Sequence, residues 1–330
     1  MKTPRHGRRS KAFTGKVVLV TGASSGIGRA TALRLARQGA RLVLVSRSED
    51  VLEQVRAECA AAGAEALVAA ADVGDARSVE AAFRVGTARF GRIDGVVHSA
   101  AVLAYGRFED VPRDVFDAAL HTTLTGTANV ARCALTAFDG GGGSLVVLGS
   151  LLGKISTPYM SSYVTAKWGV HGLVRTLQIE ARQTPGVDIS LVWPGGVDTP
   201  VYLQAGTYLR RHGRPPPPVD PPEKVARVVV RALARPRRES SVGVANHLVV
   251  TGFQVFPGVF DRIVTPLMRA GGIGRHEVDD SPGNVLAPQR AGEAVHGRWG
   301  RHWLRPVAAV GAGAGALAIR HATGHTTGKD

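Results

Sequence analysis

The sequence predicts an α/β fold in which a parallel, doubly wound sheet is flanked by helices on both faces. Apolar runs of strand length alternate with amphipathic helical segments over most of the 330 residues. The runs are continuously hydrophobic, as is typical of strands that are covered by helices on both sides. Strand–helix alternation of this kind favours parallel strands joined by right-handed crossovers.

Seven segments have the composition of buried strands, and helical patterns lie between them. The predicted strands cover residues 16–21, 41–46, 66–70, 95–99, 144–149, 188–193 and 241–248. The clearest helical segments are residues 28–39, 49–63 and 76–91. We therefore expect a sheet of about seven strands within one domain over residues 15–250.

The basic charge lies at the two ends of the chain. Of a formal net charge of +15, residues 1–14 contribute five Lys or Arg and no acid, and residues 201–330 contribute eighteen basic and nine acidic residues. The sequence shows no known nucleic-acid-binding motif and no aromatic residues grouped with the basic ones for stacking on bases, which argues against a nucleic-acid partner. We expect a disordered basic extension over residues 1–14 and a basic C-terminal extension over residues 251–330.

Cysteine usage and the N-terminus point to a cytoplasmic protein. Cys59 and Cys133 are too few for a disulfide framework and have no metal-ligand spacing, so no metal site is predicted. Both suit small apolar positions on helices in a reducing compartment. No apolar core of a signal peptide follows the basic N-terminal residues.

The segment TGASSGIG, residues 21–28, ends the first predicted strand and opens the first helix. Its glycines at positions 22, 26 and 28 allow a tight turn, a close approach to a phosphate and close packing of the helix on the strand. The helix N-terminus adds unpaired N–H groups and a positive dipole. This combination predicts a dinucleotide-binding site.

The end of the second strand indicates which dinucleotide binds. An acidic residue there would hold the adenosine ribose 2′-hydroxyl of NAD(H), but this chain has Ser46 followed by Arg47. A guanidinium pairs with a 2′-phosphate through two parallel hydrogen bonds. We therefore predict that NADP(H) is preferred and that NAD(H) is the alternative.

The chain resembles the short-chain dehydrogenase/reductase family over residues 15 to about 250. The resemblance rests on TGASSGIG, ADV at 71–73, Ser150, YVTAK at 163–167 and PGGVDTP at 194–200, in that order. It implies a Rossmann-type domain with Ser150, Tyr163 and Lys167 as the catalytic residues. The implied cofactor contacts are Gly22, Ser24, Ser25, Gly26, Ile27, Gly28, Arg47, Asp72, Val73, Ser99, Ala100, Tyr163, Lys167, Pro194, Gly195, Val197 and Thr199.

The three catalytic residues also follow from the chemistry of carbonyl reduction. Hydride transfer to a carbonyl leaves an alkoxide that needs a proton, and the reverse reaction needs a base. Tyr163 is the predicted general acid/base, and Lys167, one helical turn on, is expected to lower the pKa of its hydroxyl. Ser150 is expected to hold and polarise the substrate oxygen. The resemblance further implies that Lys167 contacts the nicotinamide ribose.

Three positions depart from the family pattern. The segment after the fourth strand reads HSAA, residues 98–101, where the family usually has Asn-Asn-Ala-Gly, and we give His98 no chemical role. Thr123 stands where the family carries an asparagine that holds a water in the proton path. Gly149 precedes Ser150 where a second serine is common. These departures leave open a non-catalytic NADP(H) sensor or scaffold.

The remaining expectations concern substrate and assembly. Apolar and aromatic residues between positions 201 and 222 favour a moderately hydrophobic carbonyl or alcohol, and the run of four prolines at 215–218 favours a stiff segment. The resemblance implies a homodimer or homotetramer. A Gly/Ala-rich run at 306–319, next to Trp and Arg, leaves three alternatives: a soluble or oligomer-contacting tail, a peripheral membrane contact and a true span.

Overall fold

The computed structural model describes residues 12–289 and 292–300. Most of the predicted N-terminal extension and the whole run at 306–319 lie outside the described residues. The division of the chain at residue 250 stays a prediction.

The helices and strands alternate as the sequence predicts. The first part of the described chain forms β1 (Val17–Thr21), α1 (Gly26–Arg37), β2 (Arg41–Ser46), α2 (Glu49–Ala61), β3 (Ala66–Ala70), α3 (Ala76–Phe90), β4 (Gly95–His98), β5 (Ala104–Tyr105), α4 (Arg113–Leu120), α5 (Gly126–Ala137) and β6 (Gly143–Leu148). The second part forms α6 (Ser161–Glu180), β7 (Val187–Pro194), β8 (Gly196–Val197), α7 (Val201–Gln204), β9 (Gly206–Thr207), β10 (Arg211–Gly213), β11 (Val219–Asp220), α8 (Pro222–Ala234), β12 (Glu239–Val242), α9 (Asn246–Val255), α10 (Pro257–Leu267) and β13 (Ile273–Glu277). A π-helical turn joins α4 to α5.

The main sheet confirms the predicted fold class. Its seven strands lie in the order β12-β7-β6-β4-β1-β2-β3, and every neighbouring pair is parallel. The strand order reverses at β1, which pairs with β2 on one side and β4 on the other. In doubly wound sheets ligands bind at such a switch point, beyond the carboxyl ends of the strands.

Alternate residues of the strands supply two separate apolar cores. On one face, Val18 of β1 packs in a cluster with residues of α1, α2 and α8. On the other face, its neighbour Val17 packs in a cluster with residues of α3, α5 and α6. Because both faces are buried, each strand is apolar at successive positions, which explains the continuous hydrophobic runs.

The last predicted strand was wrong in its extent. Residues 241–248 were expected to be extended, but β12 ends at Val242 and α9 begins at Asn246. Gly243 has a φ of 141° and turns the chain out of the sheet. The Asn246 side-chain amide then donates to the Val242 carbonyl at 3.0 Å, so a side-chain contact ends the strand and starts the helix.

None of the helices in the described residues has the length and apolar character needed to cross a membrane.

Candidate active site

The glycine-rich loop between β1 and α1 is packed too closely for side chains. Gly22 has a φ of 65°, and a Cβ there would lie 2.9 Å from the backbone nitrogen of Ala100. A Cβ on Gly28 would lie 2.1 Å from the carbonyl oxygen of Gly22. The helix therefore starts directly against the strand end, and its N-terminus faces the switch point of the sheet.

A cavity of about 960 Å³ lies at this end of the sheet and brings the predicted site residues together. Of these residues only Gly28 does not line it, because Gly28 packs against the loop itself. The predicted residues in the lining are Gly22, Ser24, Ser25, Gly26, Ile27, Arg47, Asp72, Val73, Ser99, Ala100, Ser150, Tyr163, Lys167, Pro194, Gly195, Val197 and Thr199.

The chemistry of this cavity fits a nicotinamide dinucleotide. Serine hydroxyls, the guanidinium of Arg47 and the N-terminus of α1 provide donors for phosphate and ribose oxygens. The glycine loop offers backbone that a Cβ would obstruct. The volume lies within the usual range for ligand sites of roughly 300–1,000 Å³.

Tyr163 and Lys167 lie one turn apart on α6, and Ser150 follows the end of β6. The Lys167 Nζ atom lies 5.6 Å from the centroid of the Tyr163 ring and donates to the Leu148 carbonyl at 2.7 Å. The hydroxyl of Ser150 hydrogen-bonds to Tyr163. The three side chains therefore converge on one part of the cavity, as the sequence predicts.

Burial controls the protonation of the pair. It raises the pKa of Tyr163 to about 12, while the hydrogen bond from Ser150 acts in the opposite direction. It lowers the pKa of Lys167 to about 8. The pKa of Tyr163 is therefore raised overall, in the opposite direction to the lowering that was expected from Lys167, because burial of the phenol is the largest effect.

His171 holds the backbone of Ser150, the predicted catalytic serine, although the sequence pattern did not assign this histidine a role. Its Nε2 atom accepts a hydrogen bond from the Ser150 backbone N–H at 3.2 Å, and burial lowers the pKa of its ring to about 3. A Cβ on Gly149 would lie 2.3 Å from Nε2. Glycine therefore replaces the family's serine at 149 because the imidazole occupies that space.

The other two departures have structural roles. His98 is buried and hydrogen-bonded to the hydroxyls of Thr21 at 2.9 Å and Thr127 at 3.0 Å. The hydroxyl of Thr123 is fully buried and shares hydrogen bonds of 3.3 Å with the backbone of Val102. The neighbouring Thr122, rather than Thr123, lines the cavity.

The opposite end of the cavity is built from both halves of the chain. The Arg47 guanidinium donates to the carbonyl of Asn284 at 2.7 Å, and the carboxylate of Glu293 lines the same cavity. Asp72 is held in place by accepting from the Gly74 backbone N–H at 2.8 Å. The placement of Arg47 and Asp72 is compatible with their predicted roles, which stay predictions.

Several lining residues have no signal in the sequence. They come from α7, α9, α10, the turn that follows α10 and the chain beyond β13, and they include Tyr202, Asn246, Phe260, Met268, Asn284 and Glu293. No motif marks them, because their position depends on how the C-terminal part folds back over the sheet.

Comparison with known proteins identifies the family of the chain. The family model described as short chain dehydrogenase matches residues 16–207. An uncharacterized oxidoreductase of Bacillus subtilis, YxnA, is 32% identical over 304 residues, which cover 89% of this chain and 84% of that protein.

Two solved structures are similar over most of their own length. The alcohol dehydrogenase of Thermococcus sibiricus, complexed with 5-hydroxy-NADP, is 32% identical with a TM-score of 0.61, covering 69% of this chain and 95% of the other. A short chain dehydrogenase of Mycobacterium paratuberculosis, bound to NAD, is 26% identical with a TM-score of 0.62, covering 70% and 97%. The chain therefore belongs to the short chain dehydrogenase family and is an oxidoreductase.

Proposed function

We propose that the enzyme interconverts a carbonyl and an alcohol with a nicotinamide cofactor. The observation that carries the proposal is the convergence of Tyr163, Ser150 and Lys167 in the cavity that also contains the glycine loop. A bound nicotinamide supplies or accepts the hydride. The chain's own residues hold the substrate and move the proton.

In the reducing direction, the Tyr163 hydroxyl donates its proton to the substrate oxygen. The raised pKa keeps this phenol protonated at neutral pH, so it is ready to act as the acid. Ser150 donates a hydrogen bond to the same oxygen and stabilises the negative charge that develops there. Lys167, with a pKa of about 8, is mostly cationic at neutral pH and favours the phenolate that remains.

NADP(H) is the proposed preferred cofactor, with NAD(H) as the alternative. Arg47 at the end of β2 supports NADP(H), because a guanidinium pairs well with a 2′-phosphate. The two similar structures contain 5-hydroxy-NADP in one case and NAD in the other, so members of this fold accept either class. An Arg47→Ala variant should weaken the binding of NADPH at least tenfold more than that of NADH, whereas equal weakening would contradict this role.

The proposed substrate is moderately hydrophobic. The part of the cavity around Tyr163 is walled by apolar and aromatic side chains from α7, α10 and the loop before α6. Met160 and Met268 belong to one buried cluster there, with Leu152 and Tyr202 packed against it. Such a wall leaves few partners for the hydroxyls of a sugar, because buried polar groups need hydrogen bonds. A strong preference for small polar sugars would contradict the proposal.

NADPH oxidation against a panel of ketones and aldehydes, with binding of NADPH measured in parallel, tests the function. Tyr163→Phe should abolish turnover and leave NADPH binding nearly unchanged, because the variant lacks only the hydroxyl. Full turnover by this variant would refute the assignment. Tight binding by the wild-type protein without turnover of any panel member would instead favour the sensor or scaffold.

We also propose a homodimer or homotetramer formed through the long helices. Ile179, near the end of α6, is 53% exposed and is available for such a contact. Light scattering of the purified protein tests the assembly. Ile179→Ser should shift it toward the monomer, whereas a monomeric wild-type protein would contradict the proposal.

We also propose that the protein is cytoplasmic and makes a peripheral contact with the membrane. The helices α9 and α10 expose apolar side chains close to the cavity: Leu248, Val255, Phe256, Val259, Ile263 and Leu267. Some of them, such as Ile263 and Leu267, also line the cavity. An exposed apolar face that continues into an apolar cavity, in a chain of net charge +15, suits an anionic lipid surface.

Flotation with vesicles of phosphatidylcholine, with and without phosphatidylglycerol, tests this contact. Phe256→Ser combined with Val259→Ser should reduce the bound fraction on the anionic vesicles, because neither side chain lines the cavity. Val85→Ser, an exposed apolar residue on α3, is the matched control. Equal flotation of all three proteins would rule out a contact through α9 and α10.

A further inference from the structure

A short C-terminal segment, residues 292–299, lies directly against the glycine loop. The carbonyl oxygen of Ala294 accepts from the Gly26 backbone N–H at 2.8 Å, and the Trp299 backbone N–H donates to a carboxylate oxygen of Asp198 at 2.8 Å. The segment is therefore held both at the start of α1 and beside the loop after β8. Its residue Glu293 lines the cavity.

This segment places a carboxylate at the adenosine end of the cavity. Glu293 Oε1 accepts from the Ser24 hydroxyl at 3.2 Å and from the Ser48 hydroxyl at 3.1 Å. Its other oxygen, Oε2, is buried and has no hydrogen-bond partner among the described residues. Burial raises the pKa of Glu293, and the two serine hydroxyls and Arg47 act in the opposite direction.

The carboxylate of Glu293 lies near the end of β2, where this chain has no acidic residue. In Rossmann-type sheets an acid at the end of the second strand accepts from the adenosine ribose 2′-hydroxyl. Here that strand ends at Ser46, and Glu293 reaches Ser48, two residues further, from the other end of the chain. The arginine of the same turn, Arg47, lies near enough to affect the charge of the glutamate.

We propose that Glu293 is a cofactor-specificity residue that accepts from the ribose 2′-hydroxyl of NAD(H) and opposes the 2′-phosphate of NADP(H). The inference rests on the proposed dinucleotide binding. A fixed carboxylate repels a 2′-phosphate, because both groups carry negative charge. Arg47 attracts the 2′-phosphate, so the cofactor preference of the enzyme depends on the difference between this attraction and the repulsion by Glu293. Without Glu293 the preference for NADP(H) would be stronger.

Binding titrations of NADPH and NADH to the full-length protein test the proposal without requiring turnover. Glu293→Gln keeps the shape and one acceptor oxygen but removes the charge. We expect its Kd for NADPH to fall about tenfold, equivalent to about 1.4 kcal/mol. Its Kd for NADH should stay equal or rise. Raising the salt concentration should shrink the difference between wild type and variant, because the repulsion is screened.

Two further variants separate charge from packing. Glu277→Gln makes the same charge change on β13, where the side chain is exposed and outside the cavity lining, and should leave both Kd values unchanged. Glu293→Asp keeps the charge and should keep a discrimination close to that of wild type. If Glu293→Asp behaves like Glu293→Gln, packing rather than charge controls the site and the proposal fails.

The remaining outcomes are also decisive. Equal changes in the two Kd values for Glu293→Gln, or no change in either, would overturn the role of Glu293 while leaving the proposed oxidoreductase function intact. Failure of the wild-type protein to bind either dinucleotide would contradict the proposed function itself.

Discussion

Acidification should destabilise the protein through His98, because this ring is neutral and buried in the folded state. Burial lowers its pKa from 6.5 to about 3, with the Lys167 charge acting in the same direction. Both ring nitrogens are hydrogen-bonded to threonine hydroxyls. On acidification the unfolded chain therefore takes up the proton first. Stability from this group is complete above about pH 6.5 and is lost as the pH falls toward 3.

The size of the effect follows from the two pKa values. Between them, each pH unit changes the free energy of unfolding by about 1.4 kcal/mol. Between about pH 7 and pH 5 only the part below about 6.5 contributes, so His98 accounts for a loss of about 2 kcal/mol. His171, whose pKa is also about 3, contributes in the same direction. His171 is present in the wild type and in the His98→Asn variant described next, so its contribution cancels when the two proteins are compared.

The comparison uses His98→Asn, which places at this position the amide that is usual in the family and removes the titration. Urea unfolding followed by circular dichroism at about pH 7 and pH 5 gives four free energies of unfolding. The wild type should lose about 2 kcal/mol more than the variant over this range. An equal loss in the two proteins would show that His98 is accessible to protons in the folded state, and the reasoning from burial would be refuted.

Two other substitutions test the packing of the site and the sheet. Gly149→Ala places a Cβ 2.3 Å from His171 Nε2. We expect this variant to lose about 2 kcal/mol of stability in urea unfolding. Its kcat should also fall, because the imidazole must move away from the Ser150 N–H. Asp94→Asn weakens a buried acceptor that binds the Val17 N–H at 2.9 Å and should reduce stability by about 2 kcal/mol. Since its folded-state pKa is lowered, that contribution is present above the ordinary carboxyl pKa and disappears as the pH falls below it, so wild type and Asp94→Asn should converge in acid.

Six strands of the main sheet were predictable because the local sequence shows that they are buried: β1, β2, β3, β4, β6 and β7. Strands β1 and β2, for example, are continuous apolar runs bounded by glycine or polar residues, and their neighbours on both faces require this composition. Residues 241–248 have the same local appearance. Their structure is set instead by Gly243 and by the hydrogen bonds of Asn246, which depend on the position of β7 and β12.

The candidate site likewise has one part that the sequence predicts and another part that depends on contacts between distant residues. Its glycine loop, Ser150, Tyr163 and Lys167 converge because they follow the carboxyl ends of β1 and β6, which are parallel strands with β4 between them, and that edge is fixed once the fold class is known. His171 contacts Ser150 from 21 residues away, and Glu293 contacts Ser24 from 269 residues away. Neither contact leaves a periodicity or a spacing that a single sequence can reveal.

Chemistry and selection therefore reside in different parts of the chain. The side chains that are proposed to move the proton, Tyr163, Lys167 and Ser150, all precede β7, whereas residues after β12 contribute to both ends of the cavity. Phe260 and Met268 line the proposed substrate region, and Asn284 and Glu293 line the proposed adenosine region. Changes in this later part should alter KM and the ratio of the two cofactors more than kcat, because they act on what is bound and leave the reacting groups in place. In this chain the part after β12 can in this way alter the preference for substrate and cofactor, together with Arg47 and the residues of the loop before α6 and of α7 that line the same cavity.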